Sequence, residues 1–341
     1  MSTAATPVEL TRKDFESDQE VRWCPGCGDY GILASIQFLL PELGVEPHNT
    51  VFISGIGCAA RLPYYMNTYG MHGIHGRAPA LATGVAMARP DLSVWVIGGD
   101  GDMLSIGGNH LIHALRRNVN LNILMFNNQI YGLTKGQYSP TSEVGKVTKS
   151  TPFGSVDHPF NPISVAIGAE ASFVARTHDM DRKHMMETFR RAHAHQGSSF
   201  VEVFQNCNVF NDGAYDPILK RDVRADMLIP LTHGEPIRFG ADGQHGVAIN
   251  EFGEPYVCET TEVGVANLLI HDEHRPDPTL AFALSRLASS PHMPTPIGVF
   301  RDVERPAYDA EVRAQVSHSI ERSGAGDLNS LIHSGLVWTV D

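Results

Sequence analysis

The feature that most constrains the fold is a pair of apolar runs joined by a glycine-rich turn and a helical segment. Residues 94–97 are apolar and lead directly into Gly98–Asp102, residues 106–117 have helical periodicity, and residues 121–126 are again apolar. Unbroken apolar strands are typical of a parallel sheet buried on both faces. The order of strand, turn, helix and strand predicts a right-handed crossover. The sequence therefore predicts an α/β fold with a doubly wound, mostly parallel sheet and helices on both faces.

Further segments extend this pattern as far as residue 207. The periodicity predicts a helix over residues 32–40 that Pro41 stops, a strand over 51–54, a helix over 78–88, a helix around Met185–Ala192 and a strand over 200–204. Beyond residue 207 the pattern weakens into glycine, proline and charged residues. We therefore expect one domain over residues 1–207 and an irregular C-terminal extension over 208–341 that contacts another subunit.

Composition narrows the classes of partner. The 341 residues carry a net charge of -12, which argues against a nucleic-acid surface because such a surface needs a dense basic face. The first residues lack the apolar segment of a signal peptide, and no apolar stretch is long enough to span a bilayer. Five cysteines without a secretory signal are typical of reduced thiols or metal ligands. We expect a soluble, cytoplasmic protein with no nucleic-acid or membrane partner.

Two polar residues follow neighbouring strands of the predicted sheet. Asp100 lies in the turn after the strand at 94–97, and Asn128 follows the strand at 121–126. Ligands bind at the carboxyl ends of strands in such sheets, and carboxylate and amide oxygens suit Mg²⁺ with a diphosphate. The first amides of the following helix favour the same anion. The spacing predicts a thiamine diphosphate and magnesium site, although Gly-Asp-Gly alone is more often only a turn.

Four cysteines form a second pattern. Cys24 and Cys27 are a C-x-x-C pair, and Cys58 and Cys207 each follow a predicted strand. The pair alone could be a redox dithiol, half of a zinc site or half of a cluster site. A folded sheet edge would bring all four thiols together, which favours a [4Fe–4S] cluster. Cys258 fits a small buried hydrophobic residue instead.

Four segments closely resemble the beta subunit of 2-oxoacid:ferredoxin oxidoreductases: residues 24–33, 55–86, 98–110 and 126–142. The resemblance is strong over about residues 20–210. It implies that one [4Fe–4S] cluster is held by Cys24, Cys27, Cys58 and Cys207, and that Mg²⁺ is held by Asp100, Asn128 and the carbonyl of Ile130. It also implies that thiamine diphosphate is lined by Ile56, Gly57, Cys58, Ala59, His75, Gly76, Arg77, Ala78, Gly101, Asp102, Gly132 and Leu133.

The family reaction is the oxidative decarboxylation of a 2-oxoacid with coenzyme A, which gives acyl-CoA, CO₂ and reduced ferredoxin and can run in reverse as a carboxylation. The resemblance favours catalytic roles for His75 and Arg77, and for Lys135 as a cation for the second carboxylate of 2-oxoglutarate. An alpha subunit would supply the pyrimidine-binding domain that this chain lacks, in an αβ or (αβ)₂ assembly.

Three other interpretations remain open at this point. The substrate could be pyruvate or a branched-chain 2-oxoacid. The cysteines could hold a structural zinc in a non-redox thiamine-dependent decarboxylase or synthase. The chain could also be an electron-transfer module with a vestigial thiamine fold, although Asp100 and Asn128 make this the weakest of the three.

Overall fold

An eight-stranded sheet forms the centre of the protein. The computed structural model describes residues 10–288 and 293–340, and the sheet has the order β2-β1-β3-β4-β6-β5-β11-β7. Its strands are β1 (Thr50–Ser54), β2 (Tyr69–His72), β3 (Ser93–Gly99), β4 (Leu121–Asn127), β5 (Phe173–His178), β6 (Ser198–Phe204), β7 (Leu228–Leu231) and β11 (Thr295–Asp302). All neighbouring strands pair in parallel except β11 with β5.

Helices cover both faces of this sheet. The α-helices are α1 (Asp29–Leu43), α2 (Ala78–Ala88), α3 (Asp100–Leu104), α4 (Gly108–Arg117), α5 (Pro162–Gly168), α6 (Arg182–Ala194), α7 (Asp216–Leu219), α8 (Arg224–Met227), α9 (Thr260–Val263), α10 (Thr279–Ser285), α11 (Tyr308–Ser323) and α12 (Leu328–Ile332). Short 3₁₀ helices span Arg12–Phe15, Pro47–Asn49, Ala59–Tyr65 and Val265–Asn267.

Alternate residues of each strand point into two separate cores. In β3, Val94 and Val96 face the core formed with α2, α4 and α5, whereas Trp95 and Ile97 face the core formed with α1 and α6. All four side chains are almost fully buried. Burial on both faces explains why these strands are apolar throughout. The predicted α/β fold, mostly parallel with helices on both faces, is confirmed.

The structure differs from the sequence expectations at two helices. Helix α1 begins at Asp29 and continues through Pro41 to Leu43, where Gly44 ends it with a φ of 68°. Pro41 lies in the last turn, and the stop signal is the left-handed Gly44, whose N–H donates to the Pro41 carbonyl. The predicted helix over 106–117 begins at Gly108, and the separate short helix α3 precedes it.

The part of the chain after residue 207 contributes regular structure as well as an exposed arm. Strands β7 and β11 complete the large sheet, and a second sheet of order β10-β9-β8 is formed by β8 (Arg238–Phe239), β9 (His245–Ile249) and β10 (Pro255–Glu259). Residues 317–340 are exposed throughout. The domain boundary at residue 207 stays a prediction. No helix in the described residues has both the length and the apolar character needed to cross a membrane.

Candidate functional site

The predicted site residues lie on loops that follow four adjacent strands, β1, β3, β4 and β6. These strands are neighbours in the sheet and run parallel, so their carboxyl ends share one edge. Cys58 follows β1, Asp100 follows β3, Asn128 follows β4, and Cys207 follows β6. The sheet therefore gathers at one edge groups that are up to 149 positions apart in the sequence (207 − 58).

Asp100 is the first residue of α3 and is only 2% exposed. The hydroxyls of Ser139 and Thr141 each donate a hydrogen bond to its Oδ2, both at 2.5 Å. Burial raises the pKa of Asp100 to about 6, although these hydrogen bonds oppose the rise. A bound cation would favour the ionised form of this carboxyl, so its surroundings suit a metal ligand.

Asn128 leaves the sheet one residue beyond the level of Asp100, because Gly99 of β3 pairs with Phe126 of β4. Its Oδ1 accepts a hydrogen bond from the backbone N–H of Ile130 at 3.2 Å. Its own carbonyl accepts one from Asn211 Nδ2 at 2.9 Å. The loop that carries the predicted metal ligands is therefore held in place by the chain itself.

The neighbouring Asn127 anchors this loop to a buried ion pair. Asn127 Nδ2 donates to Glu202 Oε1 at 2.7 Å, and Glu202 Oε2 pairs with Arg176 Nε at 2.7 Å. Thr141 Oγ1 lies 2.9 Å from Asn127 Oδ1 as well as next to Asp100. We call the edge of the sheet that carries Asp100 and Asn128 the metal edge, after the magnesium site predicted there. These contacts connect the metal edge to strands β5 and β6.

Asp102 ties two of the predicted thiamine loops together. Its Oδ1 accepts hydrogen bonds from the backbone N–H groups of Ile56 at 3.0 Å and Gly76 at 2.8 Å. The Nδ1 atom of His75 lies 2.5 Å from the same oxygen. Asp102 is 2% exposed. Its carboxylate thus holds the loop after β1 and the loop before α2 in a fixed relation.

Glycines in these loops leave room where a side chain would not fit. A Cβ on Gly101 would lie 2.2 Å from Tyr131, whose hydroxyl donates to the Gly101 carbonyl at 3.0 Å. Gly57 has a φ of 131° with open space where a Cβ would stand, so its backbone can approach a ligand closely.

The remaining predicted thiamine residues lie along these loops. Arg77 precedes α2 and donates from Nη1 to the carbonyls of His75 and Ile106, both at 3.2 Å. Its guanidinium therefore has partners in its own chain. Ala59 and Ala78 are buried at the starts of their helices, and Leu133 is exposed.

The four cysteines line one cavity of about 200 Å³. Asn128, Gly132 and Lys135 line the same cavity, so it adjoins the predicted metal loop. A Cβ on Gly132 would lie 3.5 Å from the sulfurs of both Cys58 and Cys207. All five cysteines of the chain are unpaired thiols, and the fifth, Cys258, lies on β10 in the small sheet.

The surroundings of the cavity disfavour free thiolates. Burial raises the pKa of the Cys27 thiol well above its usual range and that of Cys58 to about 12, and the nearby Asp29 carboxyl adds to both shifts. Burial also raises the pKa of Asp29 to about 7, with a further contribution from Asp179. Thiolates in this cavity would need positive charge from a bound metal group.

Lys135 lies in a tight loop between the metal residues and the cysteines. Tyr131 N donates to the carbonyl of Gln137 at 2.8 Å and closes this loop, and Lys135 adopts a left-handed φ of 75°. Its side chain is exposed at the cavity. The ammonium can therefore meet a ligand that enters from solvent.

Several residues of the site have no signal in the sequence. Ser139 and Thr141 reach Asp100 from 39 and 41 positions away. Asp29 and Arg61 add charge to the cysteine cavity, and Trp23 Nε1 donates to the Cys58 carbonyl at 2.7 Å. Asp29, Arg61, Ser139 and Thr141 lie in segments that resemble the family, but their residue types are ordinary for loops and give no signal by themselves. Trp23 lies just outside those segments.

Comparison with known proteins identifies both the domain type and the relatives. Residues 55–203 match the family described as thiamine pyrophosphate enzyme, C-terminal TPP binding domain. The chain is 58% identical over 331 residues to the 2-oxoglutarate oxidoreductase subunit KorB of Mycobacterium tuberculosis, which covers 96% of this chain and 88% of that subunit. It is 46% identical over 209 residues to subunit beta of 2-oxoacid:ferredoxin oxidoreductase 1 from Aeropyrum pernix, which covers 61% of this chain and 64% of that subunit.

A solved structure matches over nearly the whole chain. It is a 2-oxoglutarate:ferredoxin oxidoreductase from Magnetococcus marinus with 2-oxoglutarate, coenzyme A and succinyl-CoA bound. The TM-score is 0.76 at 33% identity, and the match covers 98% of each chain. The similarity therefore includes the part of the chain after residue 207.

Proposed function

This chain belongs to the beta subunits of the 2-oxoacid:ferredoxin oxidoreductases, of the 2-oxoglutarate type, and we propose that it carries thiamine diphosphate, Mg²⁺ and one [4Fe–4S] cluster. The reaction is the coenzyme A-dependent oxidative decarboxylation of 2-oxoglutarate to succinyl-CoA and CO₂ with reduction of ferredoxin, and it is reversible as a carboxylation. The observation that carries this proposal is the single cavity that four cysteines share with Asn128 and Lys135.

At the metal edge, Asp100, Asn128 and the Ile130 carbonyl would hold Mg²⁺, which in turn would hold the diphosphate. The buried Asp100 carboxyl supports this role because it has hydroxyl donors on Oδ2 but no cation of its own chain beside it in the described residues. When bound, thiamine supplies an electron sink for decarboxylation. Asp102 keeps the two loops that would line the cofactor in register.

The other residues predicted to line thiamine diphosphate keep their proposed roles. They are Ile56, Gly57, Cys58, Ala59, His75, Gly76, Arg77, Ala78, Gly101, Gly132 and Leu133. His75 is partly exposed, and its Nδ1 faces Asp102. Its Nε2 has no hydrogen-bond partner among the described residues and can contact a ligand. This arrangement lets Asp102 fix the ring while the other nitrogen donates or accepts a proton.

In the cysteine cavity, Cys24, Cys27, Cys58 and Cys207 would ligate the cluster. The four thiols in one cavity and the raised pKa values of Cys27 and Cys58 support a metal group held by four thiolates. A cluster accepts and passes on electrons one at a time. Gly132, against the sulfurs of Cys58 and Cys207, lets the loop with the metal ligands pass beside it.

Lys135 would recognise the distal carboxylate of 2-oxoglutarate. Its ammonium has no hydrogen-bond or ion-pair partner in the described residues, and it lies on the cavity that includes Asn128. Pyruvate has no second carboxylate, so this cation would add nothing to its binding. A bound 2-oxoglutarate in the Magnetococcus marinus relative supports the same choice of substrate.

An alpha subunit would complete the active site, in an αβ or (αβ)₂ assembly. The beta-subunit relatives imply such a partner. Residues 208–341 would make subunit contacts, which the exposed apolar side chains of Leu328, Leu331 and Trp338 support. The unpaired thiols favour the reducing cytoplasm, where ferredoxin would accept the electrons.

The test is an anaerobic assay of the chain copurified with its alpha subunit, with coenzyme A and ferredoxin. We expect 2-oxoglutarate to reduce ferredoxin faster than pyruvate does. Lys135→Ala should raise the KM for 2-oxoglutarate by about 10-fold or more, because a charge-assisted contact is lost, and should leave the KM for pyruvate unchanged.

Lys149→Ala, at another exposed lysine, is the matched control. Preference for pyruvate would refute the role of Lys135, and absence of iron would refute the cluster.

A further inference from the structure

A buried glutamine donates a hydrogen bond to one of the four cysteine sulfurs. Gln205 directly follows β6, and its side chain is fully buried. Its Nε2 lies 3.2 Å from Cys27 Sγ and 2.7 Å from the carbonyl of Asn206. Its backbone N–H donates to the carbonyl of Asn127 at 2.9 Å. The residue therefore joins the loop with Asn128 to the cysteine cavity.

We propose that Gln205 raises the reduction potential of the cluster by donating its amide N–H to the sulfur of Cys27, an inference that rests on the proposed cluster in this cavity. One electron enters the cluster when it is reduced and leaves it to ferredoxin, and no bond is made or broken in this step. The added negative charge is spread over irons and sulfurs. A hydrogen bond to a sulfur therefore stabilises the reduced form more than the oxidised form.

The hydrogen bonds of the Gln205 amide indicate that this side chain acts as a donor to the Cys27 sulfur and does not merely fill space. Nε2 has two N–H groups, and its two acceptors are the Asn206 carbonyl and Cys27 Sγ. The other side-chain atom, Oε1, is buried without a hydrogen-bond partner in the described residues. An unpaired buried carbonyl is unfavourable, so an apolar side chain of the same size would suit packing alone better. The donor side of the amide is what this position uses.

Two charged side chains, Asp29 and Arg61, also line the cavity and affect its electrostatics. Asp29, almost fully buried, lies on the same cavity and its charge would oppose electron uptake. Arg61 also lines the cavity, and its charge acts on Cys58. Among the described residues, Gln205 is the only side chain that donates a hydrogen bond to the sulfur of Cys24, Cys27, Cys58 or Cys207. Its removal should therefore move the potential in one direction, toward more negative values.

The experiment is a redox titration of the anaerobic holoenzyme with its alpha subunit, followed by the EPR signal of the reduced cluster. Gln205→Leu removes the donor at similar size, and we expect its reduction equilibrium to shift about tenfold toward the oxidised form, which for one electron is about 59 mV. Gln205→Met removes the donor at similar length without adding charge and should shift the potential in the same direction. Gln37→Leu is the matched control, since Gln37 is buried and donates to the Tyr65 carbonyl.

The outcomes separate this proposal from the proposed function. A cluster with full iron content and a more negative potential in either Gln205 variant, with the Gln37 variant unchanged, supports the proposal. An unchanged or more positive potential in a Gln205 variant that retains its cluster overturns it. If the unsubstituted holoenzyme shows no [4Fe–4S] signal, the proposed cluster itself is refuted, and this inference with it.

Discussion

The metal edge and the cysteine cavity adjoin each other but are built in different ways. At the metal edge, Asp100 receives hydrogen bonds from two hydroxyls and Asp102 joins two backbone loops. In the cavity, the sulfurs come from three separate segments, Cys24 is exposed, and the pKa values of two thiols are raised. The chain therefore preorganises the first site, whereas the second depends on the group it is proposed to hold.

This difference has a consequence for assembly. A site that the folded chain preorganises can bind and release its ligand with little change in the protein. Where a group supplies the cross-links between segments, its binding free energy contributes to the folding of those segments. We therefore expect loss of the cluster to disturb the loops around the cavity, and loss of thiamine diphosphate to leave the metal edge nearly intact.

The largest effect should follow from Cys207→Ala. This change removes one proposed cluster ligand that has no proposed contact with thiamine diphosphate. We expect iron and sulfide to be lost and ferredoxin reduction to fall by more than about 100-fold, since even partners outside the ligand sphere are worth about 10–100-fold. Iron and sulfide analysis and the ferredoxin assay measure this, and thiamine diphosphate binding to the same protein should persist.

Cys258→Ala is the matched control for that change. Cys258 lies on β10, outside the cavity, and its thiol donates to the Gly246 carbonyl at 3.5 Å. This variant should keep its iron and its activity. Full iron content in Cys207→Ala would contradict the assignment of the cavity, and loss of iron in Cys258→Ala would contradict the choice of the four ligands.

Asp100→Asn should act on the other site with a somewhat smaller effect. The substitution keeps the shape of the side chain and removes its charge, so we expect Mg²⁺ and thiamine diphosphate to bind about 100-fold more weakly. Titration calorimetry with both ligands measures the affinity. Iron content should stay unchanged because the cavity does not use this residue.

The control is Asp309→Asn, at a carboxyl that is 3% exposed and lies at the opposite edge of the sheet. Asp309 accepts a hydrogen bond from Asn120 N just before β4 and pairs with Arg313. Its substitution should lower the free energy of unfolding through these contacts, which is measured separately, and should leave cofactor affinity unaltered. Equal affinity losses in both variants would mean that Asp100 acts through general stability rather than as a ligand.

The two sites also differ in how far the sequence predicts them. The strands below the metal edge, β1, β3 and β4, are apolar because both of their faces are buried, so their ends and the residues after them could be located. Strand β5 was not predicted, since Arg176 interrupts its apolar run. This buried guanidinium pairs with Glu202 and donates to the Pro296 carbonyl. Strand β2 is exposed at the sheet edge and has no apolar pattern.

Contacts made by long loops could not be predicted in the same way. The approach of Ser139 and Thr141 to Asp100 depends on the path of the whole segment after β4, and the contact of Gln205 with Cys27 joins residues 178 positions apart. No local period or spacing encodes such meetings. The four candidate cysteines are predicted from residue type and position, whereas the single cavity that they share with Asn128 and Lys135 required the fold.

The smallest of these effects, and the sharpest test of preorganisation, should come from Thr141→Val. Valine keeps the shape of threonine and removes one of the two hydroxyls on Asp100 Oδ2. We expect thiamine diphosphate and Mg²⁺ to bind about 10-fold more weakly, because a partner that orients a ligand is lost while the ligand remains. Thr141→Ser should restore most of the affinity.

Thr188→Val, at a buried threonine of α6 whose hydroxyl donates to the His184 carbonyl, is the control. Unaltered affinity in Thr141→Val would mean that the metal itself positions Asp100, and the metal edge would then depend on its ligand as much as the cysteine cavity does.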